Sequence, residues 1–320
     1  MKTMFLAICC FMTGFPGHTQ KSSNPYDAVD EYVQKLGPLD SFNVATIADT
    51  LTRNFADKDR KARAIFYWIA HNIALDAKAV RSNDNKKTDP VLVTQLRRST
   101  PLGFALLVQE MCSMARIRCL VVDGYVKNSA EDINNRADAV NHSWNVVQLG
   151  QSPEEWYYID AARACGVLDK KQAVFTKRFT GSYFFADKTL FNLDHFPDNS
   201  AWQLGGTGPK GMKDFYALPI IGPAAYTIGL QQPVPITGYL KTKTSAAIRF
   251  GFTYHAATPI TAITLIIGEG SKQLKPEPVN FNDAGGVISF NHTFKKDDSY
   301  PVKIVADGQE VLQYFVEAVE

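Results

Sequence analysis

Cysteine is scarce in this sequence: five in 320 residues, of which Cys9 and Cys10 fall in an apolar run at the N-terminus. Cys112, Cys119 and Cys165 remain. That odd number, at no metal-ligand spacing, supports neither a disulfide framework nor a cysteine-held metal. An excess of one charge is also missing, with 34 Lys+Arg against 32 Asp+Glu and a net charge of +2. Without a basic run longer than a short cluster, no nucleic-acid or acidic-membrane partner is expected. Nothing downstream of the N-terminus is long and apolar enough to span a bilayer, and internal repeats and long low-complexity tracts are lacking.

The chain does have 45% hydrophobic and 12% aromatic residues, enough for the cores of one large or two ordinary domains. At the N-terminus Lys2 precedes the apolar run Met4 to Phe15, and small or polar residues follow to Gln20. That is the pattern of a secretory signal, so residues 1–20 are expected to be removed and the protein to be secreted or periplasmic.

Two short helical patterns lie within 25–56, separated by Gly37-Pro38. A helix capped by Asp57 or Asp59 follows, with Ala62, Ile65, Phe66, Ile69, Ala70 and Ile73 on one face, expected to end near Asp76. RSNDNKKTD reads as a loop. Ser99 or Thr100 then caps a second helix whose first residue is Pro101 and whose buried face carries Phe104, Leu107, Val108, Met111 and Ala115. CLVVDGYV is a buried strand, and residues 127–141 are a polar loop of a length usually tied to function or disorder. HSWNVVQL and EWYYID are two further strands. From Ala217 onward short strands alternate with Gly, Pro, Asn and Asp turns over about a hundred residues, the size of an immunoglobulin-like sandwich.

The chemistry centres on His142 and Asp160. Alternation puts His142, Trp144 and Val146 on one strand face. If Leu149 pairs with Glu155, Trp144 stands opposite Asp160 and His142 lies diagonally beside that carboxylate, whereas an even-length connection would separate them. A carboxylate beside an imidazole fixes its tautomer and stabilises its protonated form, as a Cys–His or Ser–His base requires. The bland alternatives are a hydrogen-bonded scaffold histidine and a turn aspartate. His71, His195, His255 and His292 have no partner at metal-ligand spacing, and no metal or cofactor is expected. A helix start favours a reactive thiolate, yet here it offers Ser99, Thr100 and Pro101.

Taken in order, these segments resemble the transglutaminase-like superfamily, which shares the papain-type core, and in particular secreted bacterial proteins of the kyphoscoliosis-peptidase group. KARAIFYWIAHNIALD is similar to the helix before that group's active site, and GFALLVQEMCSMARIRCLVVDGYVK to its nucleophile helix and following strand. NHSWNVVQL and WYYID resemble the segments that carry its His and Asp, and SYFF, HFP and WQL its downstream signature. The resemblance covers roughly residues 45–216. Its helix-start pattern, Arg-x-Gly-x-Cys-x-Gly-Tyr-Ala, matches Arg97, Gly103, Phe104 and Ala105, puts Ser99 at the first glycine and puts Pro101 at the nucleophile. It implies that His142 and Asp160 are the remaining dyad, with Thr100, Gly103 and Trp144 lining the cleft. Cys112 lies about 16 Å further along the helix axis, too far to substitute.

The expected architecture is therefore α+β: a signal at 1–20, a papain-like transglutaminase core with N-terminal helices at 21–217, and an all-β sandwich at 218–320. The resemblance implies a degenerate enzyme that acts as a peptide- or protein-binding or scaffolding module of the cell envelope. An enzyme with a displaced nucleophile is the alternative, and a purely architectural core with a binding β domain is a third.

Overall fold

The computed structural model describes residues 24–152, 155–269 and 272–320, so the expected signal at 1–20 lies outside the described residues. Mixed helix and strand occupy the first two-thirds of the chain, and an all-β region follows.

Helices Asp27–Leu36, Val44–Thr52 and Lys58–Asn72 form the N-terminal layer. Ala62, Ile65, Phe66, Ile69 and Ala70 of the third are buried together with Trp68. Arg63 is buried among them because Asp30 accepts both its Nε–H, at 2.8 Å, and an Nη2–H, at 2.7 Å. This helix ends at Asn72, four residues before the expected Asp76. Ile73 turns extended and Ala74–Leu75 pairs in parallel with Arg98–Ser99, so a long-range ladder overrides the local periodicity. Asp76 instead caps the short helix Ala77–Arg81, its carboxylate accepting the Ala79 N–H at 3.0 Å.

Helix Pro101–Met114 packs on an antiparallel sheet whose order is Trp156–Ile159, His142–Gln148, Arg118–Val126, His195–Pro197. Asn145 pairs with Ile159, and the Leu149 N–H donates to the Glu155 carbonyl, the register expected if Leu149 opposes Glu155. Asn145 also locks strand to helix: its buried amide donates to the Ala105 carbonyl at 2.9 Å. An amide buried without that partner would cost about 1–3 kcal/mol.

The all-β region is two sheets around one core. The first runs Leu230–Val234, Ala247–Tyr254, Val287–Thr293, Asn282–Asp283. The second runs Tyr239–Lys243, Gln309–Val319, Asp298–Ala306, Ile263–Ile267, Glu277–Val279, with Ile220–Ile221 also paired on Gln309–Val319. Leu312, Tyr314, Val316 and Ala318 alternate inward, meeting Phe250, Phe252 and Ile288 of the facing sheet. The buried Tyr314 hydroxyl donates to the Pro235 carbonyl at 2.9 Å. Contacts join this region to the core: Ser182 Oγ donates to the Pro223 carbonyl at 3.2 Å, and Tyr226 packs against both apolar clusters.

Candidate functional site

The helix start at Pro101 is built by steric fit. Thr100 is extended and Pro101 takes the first helical position, where a missing N–H leaves no bond unmade. The Thr100 hydroxyl was expected to cap this helix. It donates instead to Asn85 Oδ1 at 2.6 Å, tying the 82–89 loop to the helix start. Gly103 is required by close approach, since a Cβ there would fall 1.9 Å from Ser99 Oγ and 2.8 Å from Ser99 Cβ.

His142 and Asp160 meet as hydrogen-bonding partners. His142 Nε2 lies 2.5 Å from Asp160 Oδ2, with the histidine 7% and the aspartate 1% exposed. Asp160 also ends its strand and caps helix Ala161–Cys165, where Oδ1 accepts the Arg163 N–H at 2.8 Å. Burial by itself would raise this carboxyl. The charge and hydrogen bond of His142, and then those of His195, outweigh it and hold the carboxyl well below the usual carboxylate range. With Nε2–H donating to the carboxylate, Nδ1 of His142 carries the lone pair and makes no hydrogen bond among the described residues. A base so oriented can take a proton from a neighbouring group.

A third residue of this cluster, His195, gave only a weak sequence signal, the HFP tripeptide in a phenylalanine-rich stretch. It lies in the edge strand paired with residues 124–126, fully buried, and its Nε2 is 3.0 Å from the same Asp160 Oδ2. Phe191 stacks on its ring at 3.8 Å, and Asp194 Oδ2 lies 3.4 Å from its Nδ1. Burial lowers the tendency of His195 to protonate, more than Asp194 and Asp160 raise it.

A cavity of about 630 Å³ opens beside this cluster, with Pro101 and His142 both in its wall. Of the other residues expected to line it, Trp144 is buried behind the histidines, its ring edge-on to His195 at 5.2 Å. Gly103 is buried against Ser99, and Thr100 borders a separate, smaller depression with Asp76 and Arg98. Residues from the 127–141 loop and from the β region, among them Lys303 and Gln313, complete the wall. Lys127 lines it too, with an almost fully buried ammonium that donates to the Phe215 carbonyl at 2.7 Å and sits 3.9 Å from the centre of the Phe215 ring. Burial pushes it down to about 7. Cys112, Cys119 and Cys165 are free and buried, and none is in the cavity wall. Cys165 ends a short helix, where burial pushes its thiol up to about 12.

The helix, strand and dyad fall within a recognised domain, because residues 45–161 match the model of the transglutaminase-like superfamily. That stretch of the chain is transglutaminase-like. Similar curated proteins include kyphoscoliosis peptidase of Mus musculus and of Homo sapiens, each 29% identical over 197 residues, covering 61% of this chain and 29% of theirs. Cytokinesis protein 3 of Schizosaccharomyces pombe is 26% identical over 211 residues, covering 64% of this chain and 23% of that protein. The chain thus spans under a third of the length of these curated relatives. Among solved structures, a transglutaminase matches at 15% identity and a TM-score of 0.30, over 61% of this chain and 43% of that one. A protein described as a putative protease from Parabacteroides distasonis matches at 13% identity and a TM-score of 0.30, over 89% and 53%.

Proposed function

We propose that this transglutaminase-like protein is an exported binding or scaffolding module of the cell envelope, holding an extended peptide or protein segment in the cleft beside His142 without thiol catalysis. The observation that carries this reading is Pro101, at the helix start in the cleft wall that His142 also lines. A covalent thiol mechanism needs a cysteine within reach of the imidazole. A pyrrolidine ring forms no thioester, and the three described cysteines are buried and do not line the cleft. Recognition would then rest on the shape of the cleft and on side chains from both regions of the chain.

A second reading, an enzyme with a displaced nucleophile, is favoured by the 2.5 Å bond between His142 and Asp160, which keeps a base oriented. Iodoacetamide labelling, incorporation of a fluorescent amine and hydrolysis of a peptide library on the purified protein separate the two. Binding without labelling, transfer or hydrolysis is expected. A measured transfer or hydrolysis activity that disappears in His142→Ala would overturn the first reading in favour of the second.

A further inference from the structure

His142, Asp160 and His195 present three metal-ligating groups to one point, and we propose that they form a site for a single divalent transition-metal ion of the zinc or cobalt class. This goes beyond the binding role of the cleft and does not depend on it. One donor atom from each of the three residues lies within 4.8 Å of the others, all three residues being buried. The two Nε2 atoms stand 2.5 and 3.0 Å from the shared Asp160 Oδ2. Around a tetrahedral ion held at about 2.0–2.2 Å from nitrogen and oxygen, neighbouring donors stand roughly 3.3–3.6 Å apart. The 3.0 Å His195–Asp160 spacing is within about half an ångström of that, and the 2.5 Å His142–Asp160 spacing needs to open by about one ångström.

A second observation concerns the far side of His195. Its Nδ1 is buried with no hydrogen-bond partner, 3.4 Å from Asp194 Oδ2. While Nε2–H donates to Asp160, a neutral His195 turns the lone pair of Nδ1 toward a carboxylate, which leaves a buried polar atom unsatisfied. An ion on Nε2 removes that conflict. The ring proton then resides on Nδ1 and donates to Asp194, giving the carboxylate–histidine–metal relay that orients ligating imidazoles. The same tautomer change at His142 moves its proton to Nδ1, so the ion enters without net release of protons from the two rings. Two imidazoles and one carboxylate favour zinc, cobalt, nickel or iron over calcium or magnesium. His142, in the cleft wall, provides the route of entry.

The test uses tag-free protein stripped with a chelator and titrated with Co²⁺, followed by visible absorption, and with Zn²⁺, followed by calorimetry. Saturation at about one ion per chain is expected, with a ligand-field absorption band and loss of uptake in Asp160→Asn and His195→Gln. Asp194→Asn, which leaves all three ligands in place, should weaken binding by about 10–100-fold. Nitrogen NMR of the histidine rings in the unmutated protein needs no variant to fold: Zn²⁺ should move the His195 proton from Nε2 to Nδ1. Absence of saturable uptake, uptake unchanged in folded Asp160→Asn, or a His195 that is doubly protonated between its two aspartates at neutral pH and stays so with Zn²⁺ would each overturn the proposal.

Discussion

His142 Nε2 lies 2.5 Å from Asp160 Oδ2, and the cleft wall that this histidine shares carries Pro101 at a helix start. An oriented base therefore stands in a cleft whose helix start offers a ring in place of a side chain that could be deprotonated.

Introducing a thiol at the helix start should create reactivity. Pro101→Cys places sulfur at a helix N-terminus, where unpaired N–H groups lower its pKa, in a cavity wall that His142 also lines. Mass spectrometry after brief iodoacetamide treatment at pH 7 should find the introduced thiol labelled fastest, roughly tenfold or more above free cysteine, with Cys112, Cys119 and Cys165 protected by burial. Labelling of that thiol no faster than free cysteine would show that the helix start does not activate it.

The Asp160 carboxyl makes stability depend on acid. Its folded value lies below its unfolded value of about 3.9, so its stabilisation is complete above that pH and is lost as pH falls toward the folded value. Asp160→Asn should cost about 3–5 kcal/mol at pH 7, by breaking a buried pair, and should flatten the acid limb of a denaturant-midpoint profile below pH 4. An unchanged acid limb would place the acid sensitivity in other groups.

Lys127 works in the opposite range. The folded ammonium is lowered to about 7 and the unfolded one titrates near 10.5, so between those values the unfolded chain binds more protons and stability rises with pH. Lys127→Met keeps the buried volume and removes the charge. At pH 6 it should stabilise the fold by on the order of 3 kcal/mol and abolish the alkaline rise, both readable from urea midpoints across pH 6–10. Strong destabilisation at pH 6 would mean that the bond to Phe215 outweighs the desolvation.

Gly103→Ala tests the close approach at the helix start. The added Cβ would sit 2.8 Å from Ser99 Cβ and 3.1 Å from a Val93 methyl, and overpacking of this kind costs about 1–3 kcal/mol. Ser99→Gly in the same chain should recover most of the loss in thermal melting. Destabilisation without rescue would point to Val93 as the obstacle.

The sequence carried the local part of this molecule. Helix Pro101–Met114 follows from its three- and four-residue apolar spacing, and the strands His142–Gln148 and Trp156–Ile159 from alternation. Given the pairing of Leu149 with Glu155, a two-residue period was enough to bring His142 beside Asp160, because register fixes which side chains share a face. The Gly-Phe-Ala run located the helix start on which the functional reading turns.

What the sequence could not carry were contacts between residues far apart in the chain. Only the pairing of Val126 with His195 brought a second imidazole onto Asp160 from 35 positions away. Only the Ala74–Leu75 ladder with Arg98–Ser99 ended the preceding helix at Asn72, and only Asn85 drew the Thr100 hydroxyl away from capping. Lys127 looked like the start of a polar loop until Phe215 was packed over its ammonium. Local periodicity decides which face a side chain occupies; the partner it meets there, and so its charge and chemistry, is fixed when distant segments close over it and exclude water.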